Sequence, residues 1–249
     1  MDKDASINAS ITPAPRVFPP EQAGRLGILM LDTRFPRPPG DVGNPATWKP
    51  GTLMRVVAGV GPGDAVRTAA GLRAGPALPA FLAAARGMEA DGVAAITTSC
   101  GFLALLQADL QTSVSVPVVT SSLLLLNGLL AQEAQVGVLT VSAERLGPEF
   151  LACAGVPAGR IGDVIVQGVA AESEFVQGIL GNRAEMDMAQ AGQDVVAAAV
   201  ALKSRAPHLR TVVLECTNMP PYSEAIRAAT GWRVLWLGDS TVLRGHLAL

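Results

Sequence analysis

Two cysteines occupy places in the chain where a thiol could do chemistry. Cys100 follows the apolar run 93–99, and Cys216 follows the run 211–215. Each run predicts a buried strand, and each cysteine stands directly before a segment that predicts a helix. A pair of thiols on opposite sides of one cleft could take a proton from one face of a carbon and return it to the other. A lone buried cysteine is more often a small packing residue, so the catalytic interpretation depends on the pair.

The two cysteines lie at equivalent places in an internal repeat. The stretch RLGILMLDT (25–33) aligns with QVGVLTVSA (135–143), and AAITTSCGFLAL (94–105) aligns with TVVLECTNMPPY (211–222) through the cysteines. The next strand follows each cysteine at the same distance. Ligands of open α/β sheets bind beyond the carboxyl ends of the strands, so two such lobes would bring both thiols to one cleft. Cys153, in EFLACAG, has no counterpart in the first lobe and is interpreted as structural.

The elements that must position the thiols are short apolar strands alternating with Ala/Leu-rich helices. Continuous Val/Ile/Leu runs between helices are typical of parallel strands covered on both faces. The sequence therefore predicts an α/β protein with two similar Rossmann-like lobes, parallel sheets, a pseudo-two-fold relation and an active site in the cleft. The predicted parts are a flexible leader (1–24), a first lobe (25–133) and a second lobe (134–249). The predicted strands are 26–32, 54–59, 93–99, 116–120, 136–142, 163–169, 211–215 and 233–237.

Composition and charge narrow the class of protein. The chain has 249 residues, of which 49% are hydrophobic and 16% charged, with a net charge of −2. No basic footprint for nucleic acid is present, and no uninterrupted apolar run predicts a membrane span. Three cysteines without a framework spacing, and no apolar signal segment, favour free thiols in a cytoplasmic protein. No Cys/His cluster has metal-ligand spacing, so we expect no metal site.

Several polar residues near the strand ends are candidate substrate ligands, each with a structural alternative. Asp32 and Thr33 end the first strand and could equally form a turn or helix cap. Asn44 could reach a ligand or form the turn before Pro45. Ser99 precedes the first cysteine and could orient a carboxylate or satisfy the backbone.

The connection over residues 33–53 has no helical pattern and is dense in proline and glycine. A loop of this length in a compact enzyme is often functional. Its arginines, Arg34 and Arg37, could attract an anionic substrate, although exposed loop arginines are usually only solvated. Trp48 could line the mouth of the site or close the loop onto the core.

The motifs TTSCGF and LECTNMPPY, the first strand ending in LDT and the duplicated lobe resemble the aspartate/glutamate racemase superfamily. The resemblance covers about residues 25 to 240. It implies an enzyme without a cofactor, since members racemise amino acids or hydantoins, isomerise maleate or decarboxylate arylmalonates. Members are often homodimers, so a homodimer is an implied partner.

The resemblance also implies roles for single residues. Cys100 and Cys216 would be the acid/base pair, and Gly101, Thr217 and Asn218 would contact the substrate. The family's first motif is usually Cys-Asn-Thr, but here it reads Cys-Gly-Phe. Asn218 stands where glutamate racemases have a histidine. Both departures point away from an amino-acid substrate of the glutamate type.

The sequence thus predicts a cofactor-independent racemase or isomerase that moves the proton α to the carboxylate of an amino acid or small carboxylic acid. One alternative is a decarboxylase or C–C cleaving enzyme of the same fold, with Cys216 as proton donor. Another is a small-carboxylate binding protein with inert thiols. Because each cysteine precedes a predicted helix, we expect the helix N-terminus to lower the pKa of each thiol.

Overall fold

The computed structural model describes residues 24–48, 51–65, 72–73 and 75–247. The predicted leader, residues 1–24, lies outside these ranges except for Gly24. Within them, every predicted strand is present; the second is shifted two residues towards the N-terminus, and the others have slightly shorter bounds. The strands are β1 Leu26–Leu31, β2 Thr52–Val57, β3 Ala95–Thr98, β4 Val118–Val119, β5 Val136–Thr140, β6 Val164–Gly168, β7 Thr211–Leu214 and β8 Arg233–Leu235.

The strands form two parallel sheets with the same internal order. The first sheet runs β2-β1-β3-β4 and the second β6-β5-β7-β8. In register, Leu26 lies opposite Thr52 in the first sheet, and Gly137 opposite Ile165 in the second. The central strands β1, β3, β5 and β7 are buried along their whole length, as expected of parallel strands covered on both faces. These observations confirm the α/β fold class with two similar lobes.

Helices connect the strands and cover the sheets. The described α-helices are α1 Pro62–Ala65, α2 Ala77–Ala90, α3 Gln107–Ser113, α4 Leu126–Leu130, α5 Pro148–Cys153, α6 Glu174–Leu180, α7 Met188–Arg205, α8 Ser223–Thr230 and α9 Thr241–Leu247. Short 3₁₀ segments are Pro45–Thr47, Gly101–Leu106, Ser122–Leu125, Ala158–Asp163, Pro220–Tyr222 and Leu237–Asp239.

Sequence patterns explain the two longest helices. Helix α2 buries Ala77, Phe81, Ala85 and Met88, a spacing that puts all four on one helical face. Helix α7 begins after Asp187, whose carboxylate accepts hydrogen bonds from two backbone N–H groups of the first turn. No helix in the described ranges is long and apolar enough to cross a membrane.

The last helix packs on the first sheet rather than on the sheet that precedes it in the chain. Leu243 and Leu247 of α9 belong to a buried apolar cluster that includes Leu26 and Ile28 of β1. The C-terminal segment therefore covers the outer face of the first sheet and ties the end of the chain to its beginning.

Truncating this contact should destabilise the whole protein. Leu243 is fully buried, so Leu243→Ala should lower the free energy of unfolding by about 2–5 kcal/mol. Val242, the neighbouring residue on the same helix, is 45% exposed. Val242→Ala should therefore change the free energy of unfolding by less than about 0.5 kcal/mol. Urea titration of both variants tests this, and equal effects would show that α9 does not contribute to the core.

Candidate active site

Both predicted catalytic cysteines lie at the carboxyl edge of a central strand. Cys100 follows β3 and begins the 3₁₀ segment Gly101–Leu106, and Cys216 follows β7 and precedes the Pro220–Tyr222 turn. Cys100 is 9% exposed and Cys216 is 6% exposed. The parallel topology gives each lobe one thiol at the same place.

One narrow cavity brings the two cysteines together. It has a volume of about 20 Å³ and room for about one water molecule. Of the predicted substrate-binding residues, four line it, namely Ser99, Gly101, Thr217 and Asn218. The lining residues are Leu31, Phe35, Pro62, Ser99, Cys100, Gly101, Phe102, Val141, Ile179, Glu215, Cys216, Thr217 and Asn218. In this closed form a substrate larger than water must move the walls to bind.

A direct hydrogen bond between the lobes holds the two cysteine motifs side by side. The Thr217 hydroxyl donates to the carbonyl of Ser99 over 2.6 Å. The Ser99 hydroxyl in turn accepts from the Leu31 N–H at 3.1 Å. Thr217 and Ser99 therefore join each cysteine to the opposite lobe, and both side chains are committed to protein partners.

Behind Cys216 runs a chain of polar contacts. The Cys216 thiol donates to the Asn218 amide oxygen (3.6 Å), and the Asn218 amide nitrogen donates to the Asp41 carboxylate (2.6 Å). Asp41 is almost fully buried and forms an ion pair with Arg37 at 2.8 Å. Arg37 also donates to the Thr33 hydroxyl over 3.1 Å. Asn218 thus orients the thiol, while Thr33 lies four contacts away from the thiol along this chain.

The loop between β1 and β2 supplies this support. Its Val42 N–H donates to the Thr217 carbonyl at 3.1 Å. Gly40 has a positive φ of 99°, and a Cβ there would lie 3.0 Å from Pro221. Trp48 is buried and donates to the Val42 carbonyl over 2.9 Å, which closes the loop onto the core. This loop, predicted from its composition to be functional, reaches the second cysteine motif.

Three predicted substrate ligands lie outside the cavity lining: Thr33, whose contact with Arg37 is described above, Asn44 and Asp32. Asn44 caps the 3₁₀ segment Pro45–Thr47 and donates to the Arg37 carbonyl at 2.7 Å, so it supports the loop. Asp32 is exposed, and its carboxylate accepts from the Gly59 N–H at 3.2 Å. Both contacts match the turn and cap alternatives for these residues.

Glu215 is a site residue that the sequence interpretation missed. It is fully buried, lines the cavity between the thiols, and accepts a 2.7 Å hydrogen bond from the Thr140 hydroxyl at one oxygen. Loss of solvation raises the pKa of the Glu215 carboxyl to about 8, against an ordinary value of 4.5. A charged residue inside an otherwise apolar strand, directly before a candidate cysteine, was the available signal.

The expected lowering of the thiol pKa values is wrong for this closed site. Burial, and then the nearby Glu215 carboxylate, raise the pKa of Cys100 to about 12. The backbone N–H groups of Phe102 and Leu103 and the Arg37 charge do lower the pKa of Cys100, but by less. Burial and Glu215 also raise the pKa of Cys216 well above its ordinary value. Desolvation outweighs the 3₁₀ N-terminus because both cysteines are almost fully buried.

A second, wider cavity of about 850 Å³ opens beyond the carboxyl ends of β5 and β6. Val141 lines both cavities, so the two share a wall. We assign the chemistry to the narrow cavity because it holds both thiols and Glu215. In the described ranges, no group of three or more His, Cys, Asp or Glu side chains could hold a metal ion.

The close approach of Gly101 to Glu215 should make Gly101→Ala disruptive. A Cβ at Gly101 would lie 2.1 Å from the Glu215 carbonyl oxygen and 2.3 Å from its Oε1. The overlap should lower the free energy of unfolding by about 1–3 kcal/mol. Gly128 is the matched control, since a Cβ there meets nothing within 4 Å. Thermal unfolding compares the two variants, and an unchanged midpoint for Gly101→Ala would contradict the contact.

Glu215 should make stability depend on pH. Because its pKa is about 8 in the folded chain and near 4.5 otherwise, the folded state binds more protons between those values. The contribution of Glu215 to the free energy of unfolding is therefore complete at low pH and is lost as the pH rises through that window. Glu215→Gln should gain stability relative to wild type from about pH 5 to about pH 8. Denaturant titrations at several pH values measure this, and parallel curves would rule out the raised pKa.

No protein-family model matches the chain, but individual proteins are similar to it in amino-acid sequence. The chain is 32% identical over 220 residues to dimethylsulfoniopropionate lyase 5 of Emiliania huxleyi, covering 82% of this chain and 41% of that protein. It is 28% identical over 229 residues to a dimethylsulfoniopropionate lyase of Durusdinium sp. clade D, covering 88% of this chain and 73% of that protein. The chain thus spans about two fifths of the first relative's length.

Solved structures share the architecture at low sequence identity. A glycine-to-cysteine variant of arylmalonate decarboxylase superposes with a TM-score of 0.54 and 15% identity, covering 85% of this chain and 87% of that one. Glutamate racemase from Francisella tularensis, in complex with D-glutamate, superposes with a TM-score of 0.52 and 15% identity, covering 90% of this chain and 79% of that one. The chain therefore shares the two-lobed α/β fold of these enzymes.

Proposed function

We propose that the chain is a lyase that removes the proton α to a carboxylate and expels a substituent from the β carbon, with dimethylsulfoniopropionate as substrate. The observation that carries the proposal is the closed cavity that holds two thiols and a carboxylate. The relatives named as lyases of this compound support the choice of substrate. The compound is a propionate with a dimethylsulfonium group on the β carbon, so its α proton and its leaving group are on adjacent atoms.

Cys100 is the better base of the two thiols. Two backbone N–H groups, of Phe102 and Leu103, and the charge of Arg37 favour its thiolate, whereas one backbone N–H, of Asn218, favours the Cys216 thiolate. The Cys216 thiol instead donates its proton to the Asn218 amide oxygen, which favours the protonated form. A nearby sulfonium charge would favour a thiolate further, because opposite charges attract strongly in a buried site.

The elimination balances with one base and no acid. The Cys100 thiolate takes the α proton, and the electrons of that C–H bond form the Cα=Cβ double bond. The Cβ–S bond breaks with its electron pair on sulfur, so dimethyl sulfide leaves as a neutral molecule and acrylate remains. The thiol then returns its proton to water. Backbone N–H groups after the cysteines would stabilise the charge that develops on the substrate carboxylate.

The racemase or isomerase prediction is a second candidate, and the comparisons do not confirm it. It is favoured by one observation, the presence of a thiol on each lobe, because inversion at carbon needs a base on one face and an acid on the other. Both candidates begin by removing the α proton. They differ in whether the resulting carbanion is reprotonated or loses a β substituent.

Activity should depend on the buried thiols and not on Cys153. With dimethylsulfoniopropionate, the wild type should form dimethyl sulfide and acrylate in equal amounts. Cys100→Ser should lower kcat by about 100-fold or more, because serine is a far weaker acid than cysteine and rarely forms the anion. Cys216→Ser should lose less, since elimination needs no acid. Cys153→Ser, on helix α5, is the matched control and should retain full activity.

Gas chromatography of dimethyl sulfide and NMR of acrylate measure these products. A wild-type protein that forms neither product would contradict the lyase proposal. Loss of activity in Cys216→Ser but not in Cys100→Ser would move the base to the second lobe. If substrates of other classes, recovered after incubation in D₂O, carry deuterium at the α carbon and no acrylate forms, the racemase or isomerase candidate would be favoured.

A further inference from the structure

Glu215 has a carboxylate oxygen with no protein partner. Its Oε2 accepts from the Thr140 hydroxyl, whereas its Oε1 is buried and has no hydrogen-bond donor among the described residues. The side chain is fully buried and lines the thiol cavity. Buried polar atoms are nearly always hydrogen-bonded, so an unpartnered carboxylate oxygen facing a cavity points to a ligand.

The unpartnered oxygen faces the first lobe. A Cβ on Gly101 would lie 2.3 Å from Oε1, so the carboxylate occupies the space that a side chain at position 101 would fill. The glycine therefore opens room beside Cys100 for an acidic group that comes from the second lobe. Both lobes contribute to this corner of the cavity.

The one described arginine that acts on the thiols is already engaged. Arg37 pairs with Asp41 and Thr33, and no hydrogen bond joins it to Glu215. The other titratable groups that interact with the thiols are acids or neutral thiols, so none of them offers a positive charge to a carboxylate. The titratable groups that the Glu215 charge acts on are the two thiols, while Arg37 acts on Cys100 and Asp41 acts on Cys216.

A carboxylate in such a place must be protonated or must meet a cation, because an unpaired buried charge is very unfavourable. With the cavity closed, the raised pKa of Glu215, about 8, keeps most of the carboxyl protonated near neutral pH. A permanent cation that entered the cavity would replace that proton. Binding would then release the proton to solvent.

We propose that Glu215 is the counter-ion for the onium group of the substrate, so that the site selects carboxylates carrying a methylated permanent cation on the β carbon. The inference rests on the proposed lyase function for the identity of that cation as a sulfonium. Residues that contact the methyl groups would be the apolar walls Leu31, Phe35, Phe102, Val141 and Ile179.

The lining explains the preference for a methylated cation over a primary ammonium. An ammonium carries three N–H donors, whereas Glu215 presents a single free oxygen and the neighbouring walls are apolar. A sulfonium or quaternary ammonium has no donors to satisfy, and its methyl groups suit apolar and aromatic surfaces. With the cation beside it, the ionised Glu215 is paired and opposes ionisation of Cys100 less than an unpaired carboxylate would.

Two ligands of the same shape test the charge alone. The probes are 3-(trimethylammonio)propionate and 4,4-dimethylpentanoate, in which carbon replaces the charged nitrogen. Calorimetry on the wild type should show about tenfold or greater preference for the cation, in line with charge-assisted contacts. Glu215→Gln should bind both within about twofold, because the amide has the same shape and no charge. Affinity for the neutral probe should stay unchanged.

Glu133→Gln is the matched control. Glu133 also has a buried, unpartnered oxygen, but it pairs with Arg233 and Thr211 at the opposite edge of the sheet. This variant should keep the full preference for the cation. With dimethylsulfoniopropionate, Glu215→Gln should raise KM by about tenfold or more and change kcat less, which a merely structural role would not do.

A second measurement needs only the wild-type protein. Calorimetry of the cationic probe in buffers of different ionisation enthalpy should detect release of close to one proton near pH 7, and none with the neutral probe. Equal affinity for the two probes, an unchanged preference in Glu215→Gln, or no proton release would overturn the inference. If acrylate forms but the preference is absent, only this inference fails. If the preference depends on Glu215 but no acrylate forms, the lyase proposal fails and the onium site stands.

Discussion

The hydrogen bond from the Thr217 hydroxyl to the Ser99 carbonyl is the contact on which the site depends. Each of these residues adjoins a cysteine, and each belongs to a different sheet. The 2.6 Å contact therefore sets how closely the two thiols approach and makes one closed cavity from two strand edges. The loop from β1 strengthens the same junction, since Val42 donates to the Thr217 carbonyl. Neither lobe alone could form this cavity.

Charge balance in that cavity governs the proposed chemistry. Water is nearly excluded, so desolvation keeps both thiols and Glu215 in their neutral forms while the cavity is closed. A zwitterionic substrate changes this balance, because its cation faces Glu215 and its carboxylate meets backbone N–H groups. The α proton then passes to the Cys100 thiolate in a site where the substrate's cation is paired with Glu215. Pairing with the cation thus limits the opposition of the ionised Glu215 to the Cys100 thiolate.

The sequence predicted the architecture well because apolar, β-branched runs determine buried parallel strands with little help from distant residues. It also located Cys100 and Cys216, since their equivalence is visible in the repeat. It missed Glu215, because only the packed structure shows that a carboxylate from one lobe fills the space beside a glycine of the other. The thiol pKa values were predicted in the wrong direction because burial cannot be read from a position before a helix. The Arg37–Asp41 pair likewise depends on how the long loop folds back.

The central claim is that this site removes the proton α to the carboxylate of an onium propionate. Proton NMR of 3-(trimethylammonio)propionate with the wild-type protein in D₂O tests it most directly, because trimethylamine is a poor leaving group and the exchanged compound can accumulate. We expect the α-CH₂ signal to be lost while the β-CH₂ signal persists, and Cys100→Ser to abolish the exchange. An α-CH₂ signal that persists in a sample that still converts dimethylsulfoniopropionate to acrylate would contradict it.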